Sequence, residues 1–510
     1  MSELTNDRHI VAFPFQAWGH TRPLVNLATQ LMRMRPCTVT LLVTDKFLEQ
    51  AQAEVGRNLA SDGHAYDKYI RVVSLGKAEI QDSDRLNQSF EVAWKGLVAG
   101  EEIVCQKMNT RYAAAPKPRA IIIDLFGVQA FGAIKASSGN DVKVYVFNAG
   151  FTAALFHLFG PESYGGLGNV RGKAEEEARR TGESMSDIIL REMAIPKGEV
   201  IRVPGMPPMY DHEYEPQPNG VPPHIIVAMF SRVYGLLEGC DGILLYTTES
   251  YEPAAVKAMR GWFSEASRGV YVCGPLVPNG RQAVENETSQ ATDSAAIETF
   301  LNTTLEASGK QSLLYISFGS MPHNAKVDKL WTFLQVVMDL GIPFIMSYSS
   351  DDMPLSVQNR ITLYQKGLIS PWTPQQTILQ HPATGWFLTH GGHNSVMESI
   401  IAGVPMIFWP FGADQPLSAV HVTDNLQAGY ELIECRNGTE GMKPIYRNGK
   451  TAQGTIEAFK SEALDILRKA FGEEGEQKRD NLHRVAEAMR REWDDGGSSK
   501  RDMLGFLDSL

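Results

Sequence analysis

The sequence predicts an α/β chain built from two doubly wound parallel sheets, and three observations carry that expectation. Short apolar runs recur through both halves of the chain. Each is followed by a longer stretch, several of them amphipathic. A polar break then divides the halves. The length of 510 residues agrees, being too great for one ordinary domain and suited to two large ones.

The first run, His9–Phe15, reads as a buried strand. The Gly-containing stretch Gln16–His20 reads as a loop, and Arg22–Met34 reads as a helix because Leu24, Leu27, Ala28, Leu31 and Met32 recur at helical spacing, with Pro23 in its first turn. Thr38–Val43 is a second strand. Strand, loop, helix and strand make a βαβ unit, which demands a parallel sheet covered by helices. The pattern returns at Ala120–Ile123, Lys143–Phe147, Gly242–Tyr246 and Val270–Val272. It returns again at Ser312–Ser317, Pro343–Ser347, Gly385–Thr389 and Met406–Trp409. The break is Val277–Ser294, polar with Pro and Gly. The expected organisation is therefore a domain over 1–276, a linker over 277–294, a second domain over 295–480, and a helical tail over 481–510 that packs back on the first domain.

Composition excludes several classes of function. Hydrophobic residues at 43% and charged residues at 21% describe a folding chain, not a disordered one. A net charge of -11 argues against a general grip on nucleic-acid phosphates. The five cysteines are scattered and form no CxxC pair, so neither a zinc site nor a disulfide framework is expected and a reducing compartment is. The opening MSELTNDRHIVAF has neither a basic leader nor a long apolar core, and no apolar run approaches the ~20 residues of a membrane span. A cytoplasmic protein without a membrane span, acting as a monomer, is the expectation.

The chemistry concentrates in Trp372–Gln415, WTPQQTILQHPATGWFLTHGGHNSVMESIIAGVPMIFWPFGADQ. After the strand Gly385–Thr389, the turn His390-Gly391-Gly392 lets backbone approach a ligand, and Asn394 or Ser395 can cap a helix running to Ala402 and ending at Gly403. A strand, a glycine turn and a helix N-terminus make an anion site, with pyrophosphate the obvious guest. Glu398, a turn further on, can accept a ribose diol. Asp414 and Gln415 can bind sugar hydroxyls, and Trp372 can stack on a base. Taken singly, each residue has a plainer reading: Ser395 as a cap, Glu398 completing a capping box, Trp372 and Trp409 as core. Their occurrence in one window is what favours a ligand site.

That window resembles the signature segment of the plant-type UDP-dependent glycosyltransferases of family 1, from its opening Trp to its closing Gln. The matches include Trp372, Pro374, Gln375, His381, Gly385, Phe387, Thr389, His390, Gly392, Asn394, Ser395, Glu398, Gly403, Pro405, Trp409, Asp414 and Gln415. The resemblance implies the GT-B architecture, two Rossmann-like domains facing a cleft. It places Trp372 and Gln375 against uracil and ribose, and His390, Asn394 and Ser395 on the diphosphate. Glu398 would hold the ribose hydroxyls, and Asp414 with Gln415 the sugar, glucose by preference. LLYISFGS, Leu313–Ser320, is similar to the start of the family's second domain and puts Ser320 on the diphosphate. Three positions depart from the family pattern: His393 for Trp, Gly391 for Cys, and Ser418 for Asn. His393, beside the sugar diphosphate, bears on which sugar is used.

Upstream, PFQAWGHTRP resembles the family loop carrying the catalytic base, His20, and PRAIIIDLFG the segment carrying its partner, Asp124. Both follow apolar strands, at the ends where ligands bind in open α/β sheets. An imidazole is a competent base near neutral pH, and a carboxylate on its other nitrogen fixes the tautomer. Direct displacement with one base inverts the anomeric centre to a β-glycoside. No DxD-type carboxylate pair sits on a donor loop, so no metal and no cofactor are expected, the UDP-sugar being a co-substrate. The acceptor pocket would draw on Phe15, Trp18, Phe126 and Phe151, which suggests a small apolar or aromatic molecule. The competing readings are an epimerase or phosphorylase on the same fold, disfavoured by the His20 loop, and a non-catalytic sugar-nucleotide binder, disfavoured by the His20 and Asp124 pair.

Overall fold

A computed structural model describes residues 8–62, 66, 68–77, 83–218, 221–277, 293–319, 327–350 and 353–510. The chain divides into two compact units. One comprises residues 1–195, 222–278 and 491–510, the other 196–221 and 279–490.

The first unit is built on a seven-stranded sheet. Its strands are β1 His9–Phe13, β2 Thr38–Val43, β3 Ile70–Ser74, β4 Ala120–Asp124, β5 Lys143–Asn148, β6 Gly242–Leu245 and β7 Gly269–Val272. They lie in the order β7-β6-β5-β4-β1-β2-β3, all parallel. Every residue of β1 and β2 is buried, because helices cover both faces; hence these strands read as continuous apolar runs. The strand order reverses between β1 and β4, the place where such sheets open a crevice. The imidazole of His9 ties β1 down on both sides: Nδ1 lies 2.8 Å from the Pro116 carbonyl and Nε2 2.9 Å from Thr40 Oγ1.

Helix α1 runs Trp18–Met34, so the expected loop over 16–20 is shorter and Pro23 lies inside the helix instead of in its first turn. Helix α2, Val128–Ser138, follows β4. At the C-terminus, the helix Ser498–Asp508 closes the sheet edge. Its Phe506 ring packs 4.8 Å from Tyr145 and 5.6 Å from Tyr271, and Asp502 accepts the Val272 amide at 3.0 Å.

The second unit repeats the plan with a six-stranded sheet. Its strands are β8 Leu313–Ser317, β9 Phe344–Ser347, β10 Gly367–Ser370, β11 Thr384–Thr389, β12 Met406–Phe408 and β13 Gly429–Glu431, in the order β10-β9-β8-β11-β12-β13 and all parallel. Reversal falls between β8 and β11. Helices α3 Gln375–Gln380, α4 His393–Ala402 and α5 Gln415–Val420 follow β10, β11 and β12, and α6 Glu473–Arg490 packs beside α4. Trp386, Trp409 and Phe459 are buried at the centre of this unit.

The expected domain boundaries differ from this division in two places. Residues 196–221, assigned by sequence to the first domain, belong to the second unit. Glu213 is fully buried there and accepts the Tyr210 and Tyr446 amides, each at 2.8 Å, and Arg447 lies beside it. Gln217 donates to the Pro410 carbonyl at 2.8 Å and accepts from Asn437 at 2.9 Å. The second difference is at the tail: α6 runs unbroken through residue 480 because Leu482, Ala486 and Met489 bury one face, and the chain rejoins the first unit only at 491. Most of the expected linker, 278–292, lies outside the described residues.

Candidate active site

In the first unit the site grows from the adjacent ends of β1 and β4. Winding of α1 begins at Trp18, which places His20 in the first turn instead of a loop and fixes its ring by helix geometry. Asp124 is the last residue of β4, and its side chain is 1% exposed against 27% for His20. His20 Nδ1 lies 2.8 Å from Asp124 Oδ2, and the other carboxylate oxygen accepts the Phe126 amide at 3.0 Å. A buried carboxylate held by a backbone amide is a fixed acceptor. It orients the imidazole with its proton on Nδ1 and its basic lone pair on Nε2.

Rings surround this pair. Phe15 meets His20 edge-on at 5.3 Å between centroids, Phe126 lies 5.8 Å from His20, and Phe15 and Phe126 meet at 5.6 Å. Phe126 stacks on Phe230 at 5.3 Å and meets Phe159 edge-on at 6.2 Å. Phe230 ends a π-helical turn, Ile226–Phe230, and nothing in the local pattern of the sequence marked it. Trp18 stands apart from this cluster, stacked on Phe47 at 6.3 Å. Phe151, expected at the acceptor wall, is buried in the unit's core at 1% exposure with its ring against Tyr251. It precedes the helix Thr152–Phe159, whose first amides are held by the buried Glu252.

In the second unit the site forms between the ends of β8 and β11. Helix α4 starts at His393, with Gly392 as N-cap and no side-chain cap. Asn394 and Ser395 therefore sit in the first turn and do not cap the helix as expected, and Glu398 closes no capping box. The positive end of this helix faces the glycine turn. Gly391 has φ +87° and Gly319, after β8, has φ +80°, a region that glycine adopts readily and side-chain-bearing residues seldom do. Both Gly319 and Gly392 leave room for the His390 ring: a Cβ on Gly319 would lie 2.8 Å from it, and one on Gly392 would strike Nε2. Ser320 lies outside the described residues.

Behind the turn, a polar network surrounds Glu398, which is 5% exposed. Gln375 donates to Glu398 Oε2 at 2.5 Å and to Ser395 Oγ at 3.2 Å. Gln376 donates to Glu398 Oε1 at 2.9 Å, and the Tyr315 hydroxyl reaches Gln375 at 3.5 Å. Trp372, just before α3, is 49% exposed. Trp409, by contrast, is fully buried and packs on Phe318 and Phe459. His393 is buried at 4% exposure. Gln415 Oε1 accepts the Phe411 amide at 2.8 Å, bracing a loop in which Ala413 takes φ +54° and Asp414 immediately precedes α5. No group of three or more His, Cys, Asp or Glu among the described residues is arranged to hold a metal ion. No helix among them is long and apolar enough to cross a membrane.

Two doubly wound sheets, each with polar residues at its switch point, one carrying a His-Asp pair and the other a glycine turn before a helix N-terminus, define a nucleotide-sugar transferase class. Comparison with known proteins agrees. The family described as UDP-glucoronosyl and UDP-glucosyl transferase matches residues 264–439. A UDP-glycosyltransferase of Hericium erinaceus, eriJ, is 28% identical over 99% of both chains. Among solved structures, UGT2 of Phytolacca americana with UDP-2-fluoroglucose and pterostilbene superposes with a TM-score of 0.67 at 21% identity, covering 98% of this chain and 99% of that one. UGT71G1 of Medicago truncatula with UDP-glucose gives 0.69 at 18% identity, covering 100% and 99%. The fold is GT-B, and these likenesses support a family 1 UDP-glycosyltransferase.

Proposed function

We propose that the enzyme transfers glucose from UDP-glucose to a hydroxyl of a small aromatic or apolar acceptor, with inversion to a β-glycoside. The observation that carries this reading is the 2.8 Å bond between His20 Nδ1 and the buried Asp124 carboxylate. His20 Nε2 takes the acceptor's proton as its oxygen attacks the anomeric carbon. The new oxygen–carbon bond forms as the bond from that carbon to the diphosphate oxygen breaks, and UDP leaves with the electron pair. Asp124 stabilises the imidazolium. The α4 N-terminus with His390, Asn394 and Ser395 takes the charge that grows on the departing diphosphate, so no divalent ion is needed. Trp372 stacks on uracil, Glu398 and Gln375 hold the ribose, and Asp414 with Gln415 holds the sugar.

The ring cluster of Phe15, Phe126, Phe159 and Phe230 supports an aromatic acceptor. The relative solved with pterostilbene supports the same class, and the one solved with UDP-glucose supports glucose as donor. Five buried cysteines without a disulfide suit a reducing cytoplasm, and action as a monomer is part of the same reading.

Purified enzyme is to be given UDP-glucose, UDP-galactose, UDP-xylose and UDP-glucuronate with a phenol panel, with and without EDTA, and the product anomer read by NMR. A β-glucoside formed equally well with EDTA is expected. An α-product, transfer from another sugar in preference to glucose, or loss of rate with EDTA each overturns the corresponding part.

A further inference from the structure

We infer that Gln376 is a positioning residue for donor binding, setting the orientation of the Glu398 carboxylate that receives the ribose. This rests on the reading of Glu398 given above. Gln375 and Gln376 are neighbours in the first turn of α3, yet their amides reach opposite oxygens of one carboxylate, Oε2 at 2.5 Å and Oε1 at 2.9 Å. Two N–H donors on the two oxygens fix both the plane and the rotation of the carboxyl group. Charge-assisted bonds of this kind are about twice as strong as neutral ones. Gln375 is half-buried at the edge of the site, while Gln376 is 2% exposed and lies behind Glu398. The bond from Gln376 is thus the one that an arriving ribose has no route to displace.

A second observation sets Gln376 apart. Its side-chain carbonyl oxygen is buried and has no hydrogen-bond partner among the described residues. Burying an unsatisfied carbonyl carries a desolvation penalty. A leucine or methionine would fill similar space without that cost but would take the Gln376 donor away from the buried Glu398 carboxylate. What the amide adds is its bond to Glu398 and, through it, a carboxylate preset for two vicinal hydroxyls. A carboxylate left to rotate has to be ordered on binding, which weakens affinity without changing the chemical step.

The test is calorimetric binding of UDP and of 2′,3′-dideoxy-UDP to wild type, Q376L, Q376M and E398Q, with thermal unfolding of each. For Q376L the expected result is a folded enzyme of modestly lower thermal stability, UDP bound about tenfold more weakly, and dideoxy-UDP bound as by wild type. In glucosyl transfer, KM for the donor rises by the same factor and kcat stays within about twofold. Adding Q376L to E398Q has little further effect, because both act through one carboxylate. Q376M repeats the measurement should Q376L fail to fold. Equal weakening of UDP and dideoxy-UDP, unchanged UDP affinity, or a loss of kcat at constant KM overturns the inference. If E398Q itself leaves the preference for UDP over dideoxy-UDP intact, the reading of Glu398 fails; if E398Q abolishes it and Q376L does not, only the role of Gln376 fails.

Discussion

Asp124 and His20 are 104 positions apart, and their side chains meet at 2.8 Å because β1 and β4 are neighbours at the reversal of strand order. Asp124→Asn keeps the shape and offers an amide where the imidazole needs an acceptor. The expected loss in kcat is about 10²–10⁴-fold, with UDP affinity unchanged, since the donor residues lie in the other unit. His20→Ala gives a comparable loss. Steady-state kinetics together with UDP calorimetry decide this, and a variant retaining more than about a tenth of the wild-type rate rules out the assignment.

Phe126 touches His20, Phe15, Phe159 and Phe230 at once. Truncating it to alanine removes a wall of the cluster while leaving the His20–Asp124 bond. The acceptor KM is expected to rise about tenfold or more, with donor KM steady. A donor KM that rises in parallel means the ring is serving the fold.

Gly392 has ordinary backbone angles as the N-cap of α4, so alanine there introduces no backbone strain. Its Cβ would occupy space taken by His390 Nε2. Gly392→Ala should therefore displace the imidazole, weaken UDP by about tenfold, and cost under about 1.5 kcal/mol in denaturant unfolding. Wild-type UDP affinity in this variant separates His390 from the diphosphate.

Burial holds the His9 imidazole down at about 4, against an ordinary 6.5. Its bonds to Pro116 and Thr40 suit the neutral ring. Between those two values the unfolded chain takes up a proton that the folded chain refuses. Stability from this group is thus present above about pH 6.5 and lost as the pH falls toward 4, by about 3 kcal/mol over the whole window. Guanidinium unfolding at pH 7 and pH 4.5 should show wild type losing about 2–3 kcal/mol more than His9→Gln. Equal losses exclude His9 as the source.

Much of the architecture was legible because buried parallel strands are compact apolar runs. Thr38–Val43 was located to the residue, and most other core strands were misplaced by one or two positions. Ile70–Ser74 escaped notice because an edge strand is only half apolar, its first two residues being partly exposed. The expected start of α1 is too late because Gly19 in Gln16–His20 reads as loop and Pro23 as a first-turn residue, whereas the helix begins at Trp18 and runs through both. The insertion of 196–221 into the second unit was invisible because a short irregular segment has no periodicity; its allegiance depends on Glu213 and Gln217 finding partners more than 190 positions away.

Trp372–Gln415 by itself pointed to an anion site, because a strand, a glycine turn and a helix start are local in sequence and need only short-range geometry; its resemblance to the family's signature segment is what implied a nucleotide sugar. The residues within it took their places from tertiary structure alone. Gly392 and not Asn394 became the cap, Gln376 joined Gln375 on Glu398, and Trp409 went to the core while Trp372 stayed exposed. Such differences depend on which atoms from distant strands and helices occupy the neighbouring space. A linear sequence encodes that information, but no local pattern in it shows the result.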